Sequence, residues 1–354
     1  MRIAAHNRML SAAALKAQFS VLIAPLAALS YPFILTGFNA SVTTITKGNV
    51  GVLPWLTAAV SLLLAFAVPT IAVLAAMHFA EILQPTVAQL RAKRMALLAV
   101  AAPTLFTFIG VVLSMLGDPV PDTWLWVACW VLAVVALFHA DRNAPAPANV
   151  QPVPAALRVA HGISALLIIG IFLALHISNH LTFLLGHSTY DAVMKMFRHV
   201  YRTDVLQPLL VGLFLFQIGS GLYLVWRHTA APSDRFRSFQ IASGVYLAFY
   251  LLGHMNSVFI FARTYLGIDT DWNFATGAPT GLIKDSWNIR LLPHYWLGVF
   301  FVLSHIAGGT RTVMMAHGAS KAFADRFMIG GAVLACIIAT AIMLGMSGLR
   351  LQFV

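Results

Sequence analysis

Apolar residues in this chain come in long runs separated by short polar stretches. A helix needs roughly 20 mostly apolar residues to cross a bilayer. Nine runs approach or exceed that length, near residues 18–38, 51–79, 95–117, 123–140, 158–185, 205–227, 238–263, 292–312 and 327–348. The pattern predicts an all-α, polytopic membrane protein of about nine transmembrane helices, the last five of them forming a C-terminal five-helix bundle.

The polar stretches divide the chain. Residues 142–157 hold Pro145, Pro147, Pro152 and Pro154 among Ala and Asn, the composition of an extended linker. It separates a four-helix front over 1–141, of unknown role, from a helical bundle over 158–313. One further transmembrane helix follows within 314–354. The longest loop, 264–291, carries Trp272, Phe274 and Trp287. It reads as a partly ordered surface loop or as a lid over a site at the outer face. Arg2, Arg8 and Lys16 precede an apolar stretch with no convincing cleavage site, so a retained first helix is expected rather than a signal peptide.

Composition narrows the class. Of 354 residues, 60% are hydrophobic and only 9% charged, against about 25% charged in a soluble domain. Soluble, disordered and fibrous classes are excluded. The net charge of +11 is spread over short loops between apolar runs. That is the mark of membrane topology, not of a nucleic-acid partner. Fourteen Lys and Arg fall on the side of the N-terminus and eight on the other. The N-terminus is therefore expected in the cytoplasm and the C-terminus outside. Cys129 and Cys336 lie inside apolar runs and read as small core residues. No Cys-x-x-Cys-His is present for covalent haem attachment.

The candidate chemistry lies in the histidines, whose 13 outnumber the 11 acidic residues. His78 and His139 sit at helix ends, and His6, His228 and His317 in loops, where polar residues are ordinary. The back half differs. His161 and His176 share the fifth segment, His254 lies in the seventh, and His294 and His305 share the eighth. An ionisable residue inside a span is costly and is a functional hypothesis by default. A proton relay would bring in carboxylates, which are missing from the middle of the back-half spans. A zinc or copper site wants three or four ligands at one level. Haem needs two imidazoles from facing helices, plus small residues that let a flat ring slide between backbones.

Depth then pairs the residues. The fifth and seventh segments run in the same direction, which places His176 and His254 both in the outer half. His161 lies fifteen residues before His176, about 22 Å along a helix axis, so it cannot share the same iron. His180 is one turn beyond His176 on the same face and is either a rival ligand or a contact for a propionate or quinone oxygen. Arg158 and His161 at the inner edge, or His180 and His294 at the outer edge, are further candidates for such contacts. Ser243 and Gly244 offer the small surface a haem needs, and tight helix packing is their alternative use.

The stretch 157–312 resembles the five-helix, dihaem cytochrome b subunit that anchors succinate dehydrogenases and fumarate reductases. The resemblance rests on Leu157, Arg158 and His161 followed by His176, on Gln240, Ser243 and Gly244 followed by His254, and on His305, Ala307 and Gly309. It implies that His176 and His254 ligate the haem farther from soluble catalytic subunits. It also implies a second haem held by His305 and a ligand on the sixth segment, but that position is Gln217, a poor ligand for iron. One haem b is therefore expected, with His305 and Gln217 as the remnant of a second site. A related haem b module serves as a membrane sensor of quinone.

The sequence thus points to a membrane b-type cytochrome with one bis-His haem, exchanging electrons with quinone or sensing its redox state, in a bacterial inner membrane. Bis-His ligation fills both axial positions and favours one-electron transfer over oxygen chemistry. Two alternatives stand beside it. One is an anchor subunit that works with soluble oxidoreductase or signalling partners. The other is a haem-free transporter, disfavoured by the lack of buried acids and of a convincing inverted repeat.

Overall fold

The computed structural model describes residues 2–48, 51–139, 143–146 and 153–352, with side chains from residue 20 onward. Arg2, Arg8, Lys16 and Arg142, used above for topology, and His6 therefore lie outside the described side chains. Every regular element among the described residues is helical, apart from an isolated antiparallel bridge between Thr86 and Pro145. Among the described residues seven helices are long and apolar enough to span a bilayer, or eight if one bent pair counts as a span. The chain is an integral membrane protein whose outer faces contact lipid.

The helices used below are α1 (Arg2–Thr46), α2 (Val52–Ala80), α3 (Val87–Val100), α4 (Ala102–Met115) and α5 (Asp122–Leu137). The back half continues with α6 (Ala155–Leu185), α7 (His187–Tyr201), α8 (Leu206–Thr229) and α9 (Arg235–Leu266). It ends with α10 (Leu291–Ala316) and α11 (Lys321–Met346).

The expected count of nine fails in two places, each for a physical reason. The apolar run near 95–117 is not one rod: α3 and α4 meet at Ala101 with a bend of 64°. Pro103 lies in the first turn of α4. A proline lacks the N–H that would continue the helix, and its ring crowds the turn before it. The run near 123–140 forms only the 16 residues of α5, about 24 Å at the helical rise. That is short of a hydrocarbon core about 30 Å thick. The stretch between the fifth and sixth spans, read as loop, contains the amphipathic α7.

Of the linker 142–157, residues 142 and 147–152 lie outside the described residues. Residues 143–146 run as a strip against the turn before α3. The Val87 N–H donates to Ala144 O and the Ala146 N–H to Pro85 O, both at 2.9 Å.

One apolar cluster joins the front helices to α9 and α10. It includes Ala28, Tyr31, Ala72, Val100 and Phe106 from the front and Ala242, Tyr246, Leu297 and Phe301 from the back. Small residues let these helices approach closely, and aromatic rings set edge to face fill the gaps. The Trp126 indole donates to Ala28 O at 2.8 Å, tying α5 to α1. Buried Arg290 pairs with Asp122 at 2.7 Å and lies over the Phe106 ring, fastening the start of α10 to α5. Most residues in the apolar stretch of the segment containing α10 are buried, while few of those in α6 and α8 are. Thus α10 is the central post, and α6 and α8 form the lipid-facing wall. Cys129 and Cys336 are exposed on outer helix faces, which corrects their reading as core residues.

Candidate functional site

A cavity of about 390 Å³ lies between α6, α8, α9 and α10. Its walls are mostly apolar, and six histidines line it: His161, His176, His180, His228, His254 and His305. One end is closed by α7 and by Thr270, Phe274 and Ala275 of the loop after α9. The other end is bordered by Arg237 and His228.

Two of these histidines face each other near the α7 end. α6 contains a π-helical turn over Ile169–Leu173, just before His176. α9 turns π-helical over Asn256–Leu266, just after His254. Wide turns of this kind rotate the following side chains relative to the preceding face and recur at functional sites. His176 stacks on Phe172 with ring centres 4.7 Å apart. His254 stacks on Tyr250 at 5.6 Å. The two imidazole centres are 6.1 Å apart, with planes at 69°. An ion held between two imidazoles needs ring centres about 6 Å apart, the sum of two bonds of about 2 Å and roughly 1 Å inside each ring. The spacing of His176 and His254 fits that requirement.

His180 competes for the same space. Its Nε2 is 3.1 Å from the Nε2 of His176, so one of the two donates to the other. Its ring stacks on Phe183 at 5.5 Å, and its buried Nδ1 has no hydrogen-bond partner.

The rim at this end is cationic. Arg198 donates to Thr270 O at 2.7 Å and to Thr270 Oγ1 at 3.0 Å. Arg202 donates to the same hydroxyl at 2.9 Å, and Arg263 to Gln207 Oε1 at 3.2 Å. These partners are neutral. Burial, reinforced by the neighbouring Arg198 and Arg263 and partly offset by Tyr201 and Asp269, lowers Arg202 to about 10. An anionic group set among the three guanidiniums would relieve their repulsion. Sequence reasoning missed this rim. The signal available was the pair Arg198 and Arg202, one turn apart in a polar stretch with helical period.

Toward the Arg237 end, His161 of α6 and His305 of α10 line the cavity within electrostatic reach of one another. His161 Nδ1 is 2.8 Å from Ser220 Oγ, and His305 Nδ1 is 3.0 Å from Ser243 Oγ. Gly244 touches the second ring: a Cβ there would lie 3.0 Å from His305 Cε1. Gln217 lines the cavity too, but its amide nitrogen donates to His161 O at 2.7 Å and to Ser164 Oγ at 2.6 Å. Its nitrogen is committed to α6.

Two expected contacts do not reach the cavity lining. His294 is buried behind Tyr250, with ring centres 4.7 Å apart, and its Nδ1 is unpartnered. Arg158 is exposed and lies near Arg237 and His228 outside the lining. Among the described residues no group of three or more His, Cys, Asp or Glu is arranged to hold a bare metal ion. Axial coordination by two imidazoles is the metal chemistry this arrangement suits. No family model, curated protein or solved structure matches this chain.

Proposed function

We propose that this protein is a membrane cytochrome of b type, with His176 and His254 as axial ligands of a haem b and quinone as its redox partner. The observation that carries the reading is the 6.1 Å separation of two imidazoles from different helices across an apolar cavity. The resemblance of 157–312 to the dihaem anchor subunits singles out the same two residues. The haem, when bound, supplies reversible one-electron chemistry. The residues of the chain do the rest. Phe172 and Tyr250 fix the two imidazole planes by stacking. Ligation through His176 Nε2 would replace its hydrogen bond to His180. His180 would then be free to meet a propionate or quinone oxygen. Arg198, Arg202 and Arg263 would hold propionate charge at the rim. An N-terminus in the cytoplasm and a C-terminus outside complete the proposed topology.

A reduced-minus-oxidised visible spectrum of the purified protein tests the reading. A sharp low-spin b-type α-band is expected. A colourless protein, even after haem-supplemented expression, overturns it.

A further inference from the structure

The histidine cavity uses one face of α10, through Gly298, Val302 and His305. The opposite face of the same helix borders a second space, of about 540 Å³, shared with α2 and with single residues of α9 and α11. Leu292, Trp296 and Phe300 line it one turn apart, and so do Leu62, Phe66 and Thr70 of α2. Phe239 of α9 meets Phe300 and Phe301 at 6.3 and 6.0 Å and closes the end at the middle of α10. Leu63 and Thr70 line the space and are exposed on the outer side of α2. The slot therefore opens sideways, to the hydrocarbon of the bilayer.

Its walls offer little for water to bond. Among the described residues no charged side chain lines it. The Thr70 hydroxyl donates to Phe66 O at 2.9 Å, within its own helix. The Trp296 indole N–H donates to Thr340 Oγ1 at 3.1 Å, which commits the polar edge of the ring to α11. A water stays in a cavity only with roughly two to four polar partners. An unfilled apolar space forfeits the dispersion contacts of the atoms on its walls. Hydrocarbon is the filling that suits such walls.

Length and shape choose the hydrocarbon. On α2 the slot runs from Leu62 to Val73, about 16 Å along the helix axis. On α10 it runs from Leu292, at the start of the helix, to Phe301. It is thus one leaflet deep, about half of a core about 30 Å thick, and it lies in the leaflet where α10 begins. The Phe66 and Trp296 rings stand edge to face, with planes at 79°. A flexible chain can follow so corrugated a wall. A flat fused-ring lipid cannot lie against both rings.

We propose that this slot binds one acyl chain of a membrane phospholipid, held between α2 and α10. The chain fills the gap between the front helices and the central post. Recognition rests on the hydrocarbon and not on the headgroup. The slot shares no lining residue with the histidine cavity, so the site stands whether or not that cavity holds haem.

Native mass spectrometry of the full-length protein in mild detergent reads the occupant. One phospholipid per chain should persist after detergent exchange that strips the others. Thr70→Phe and Leu63→Phe each place a ring in the slot and should lose that lipid. Thermal midpoints separate filling from damage. Phosphatidylcholine added to stripped protein should raise the midpoint of the unmodified chain, and phosphatidylglycerol should raise it equally. Stripped Thr70→Phe should start at or above the stripped unmodified protein, because the ring replaces the chain, and it should gain less from either lipid. Retention of the lipid in both variants, or an equal lipid response in all three proteins, overturns the site. A retained prenyl or fused-ring lipid overturns the assignment of its occupant. A response to phosphatidylglycerol alone overturns recognition by hydrocarbon.

Discussion

Tyr250 lies flat against His254, with ring centres 5.6 Å apart and planes within 7° of parallel. The position of Tyr250 depends on Gly298 across the α9–α10 interface, where a Cβ would run into the tyrosine ring. Gly298→Ala therefore pushes Tyr250 toward His254. Overpacking of this kind costs about 1–3 kcal/mol. The variant should unfold at lower temperature in detergent and bind haem less tightly at the His176–His254 level. Gly298→Ala combined with Tyr250→Phe should recover part of the loss, because the hydroxyl is among the crowded atoms.

His176→Ala and His254→Ala should each abolish the low-spin band assigned to their level. His180→Ala should keep it, since His180 is not the ring facing His254. Loss of the band in His180→Ala together with its survival in His176→Ala would exchange the two assignments. Haem content and low-temperature spectra of the three variants provide the check.

Arg290 is buried and paired with Asp122 at 2.7 Å. Removing one partner of a buried pair costs about 3–5 kcal/mol. Arg290→Ala should fall near the lower end, because Asp122 keeps some exposure. Gly110→Ala should behave similarly, since a Cβ there occupies the place of the guanidinium. Thermal midpoints in one detergent compare the three proteins. Equal midpoints would mean that this pair does not fasten α10 to α5.

The rim arginines act on charge rather than on fold. Arg198→Ala and Arg202→Ala should each lower the midpoint potential of the haem, because a nearby cation favours the reduced, less positive state. Haem content should fall only modestly, because both imidazole ligands remain. Potentiometric titration reads the shift, which should shrink in 1 M salt as the exposed part of the field is screened.

The spans were legible because lipid demands long apolar runs, and six of the seven spanning helices end within a few residues of the predicted limits. The first continues to Thr46. The break at Ala101 was less visible, since the apolar run passes through Pro103 without interruption. α7 was missed because its polar, amphipathic pattern resembles a loop when only hydropathy is followed. The pairing of His176 with His254 was readable from depth alone. The association of His161 with His305 was not, because it depends on which face of α6 and α10 each ring leaves. That is set by packing onto Ser220 and Ser243, which sequence reasoning valued only for their small size.

The fifteen residues between His161 and His176 set two levels of the cavity about 22 Å apart along α6. A hydrocarbon core of about 30 Å carries the full transmembrane voltage. A charge moved from the level of His161 to that of His176 would cross about seven tenths of that field. With about 2.3 kcal/mol per charge for each 100 mV, the step would be favoured or opposed by about 1.7 kcal/mol according to the polarity of the membrane. An electron that reached a haem at the His176–His254 level from the inner edge would then report not only the redox state of quinone but the energisation of the bilayer itself.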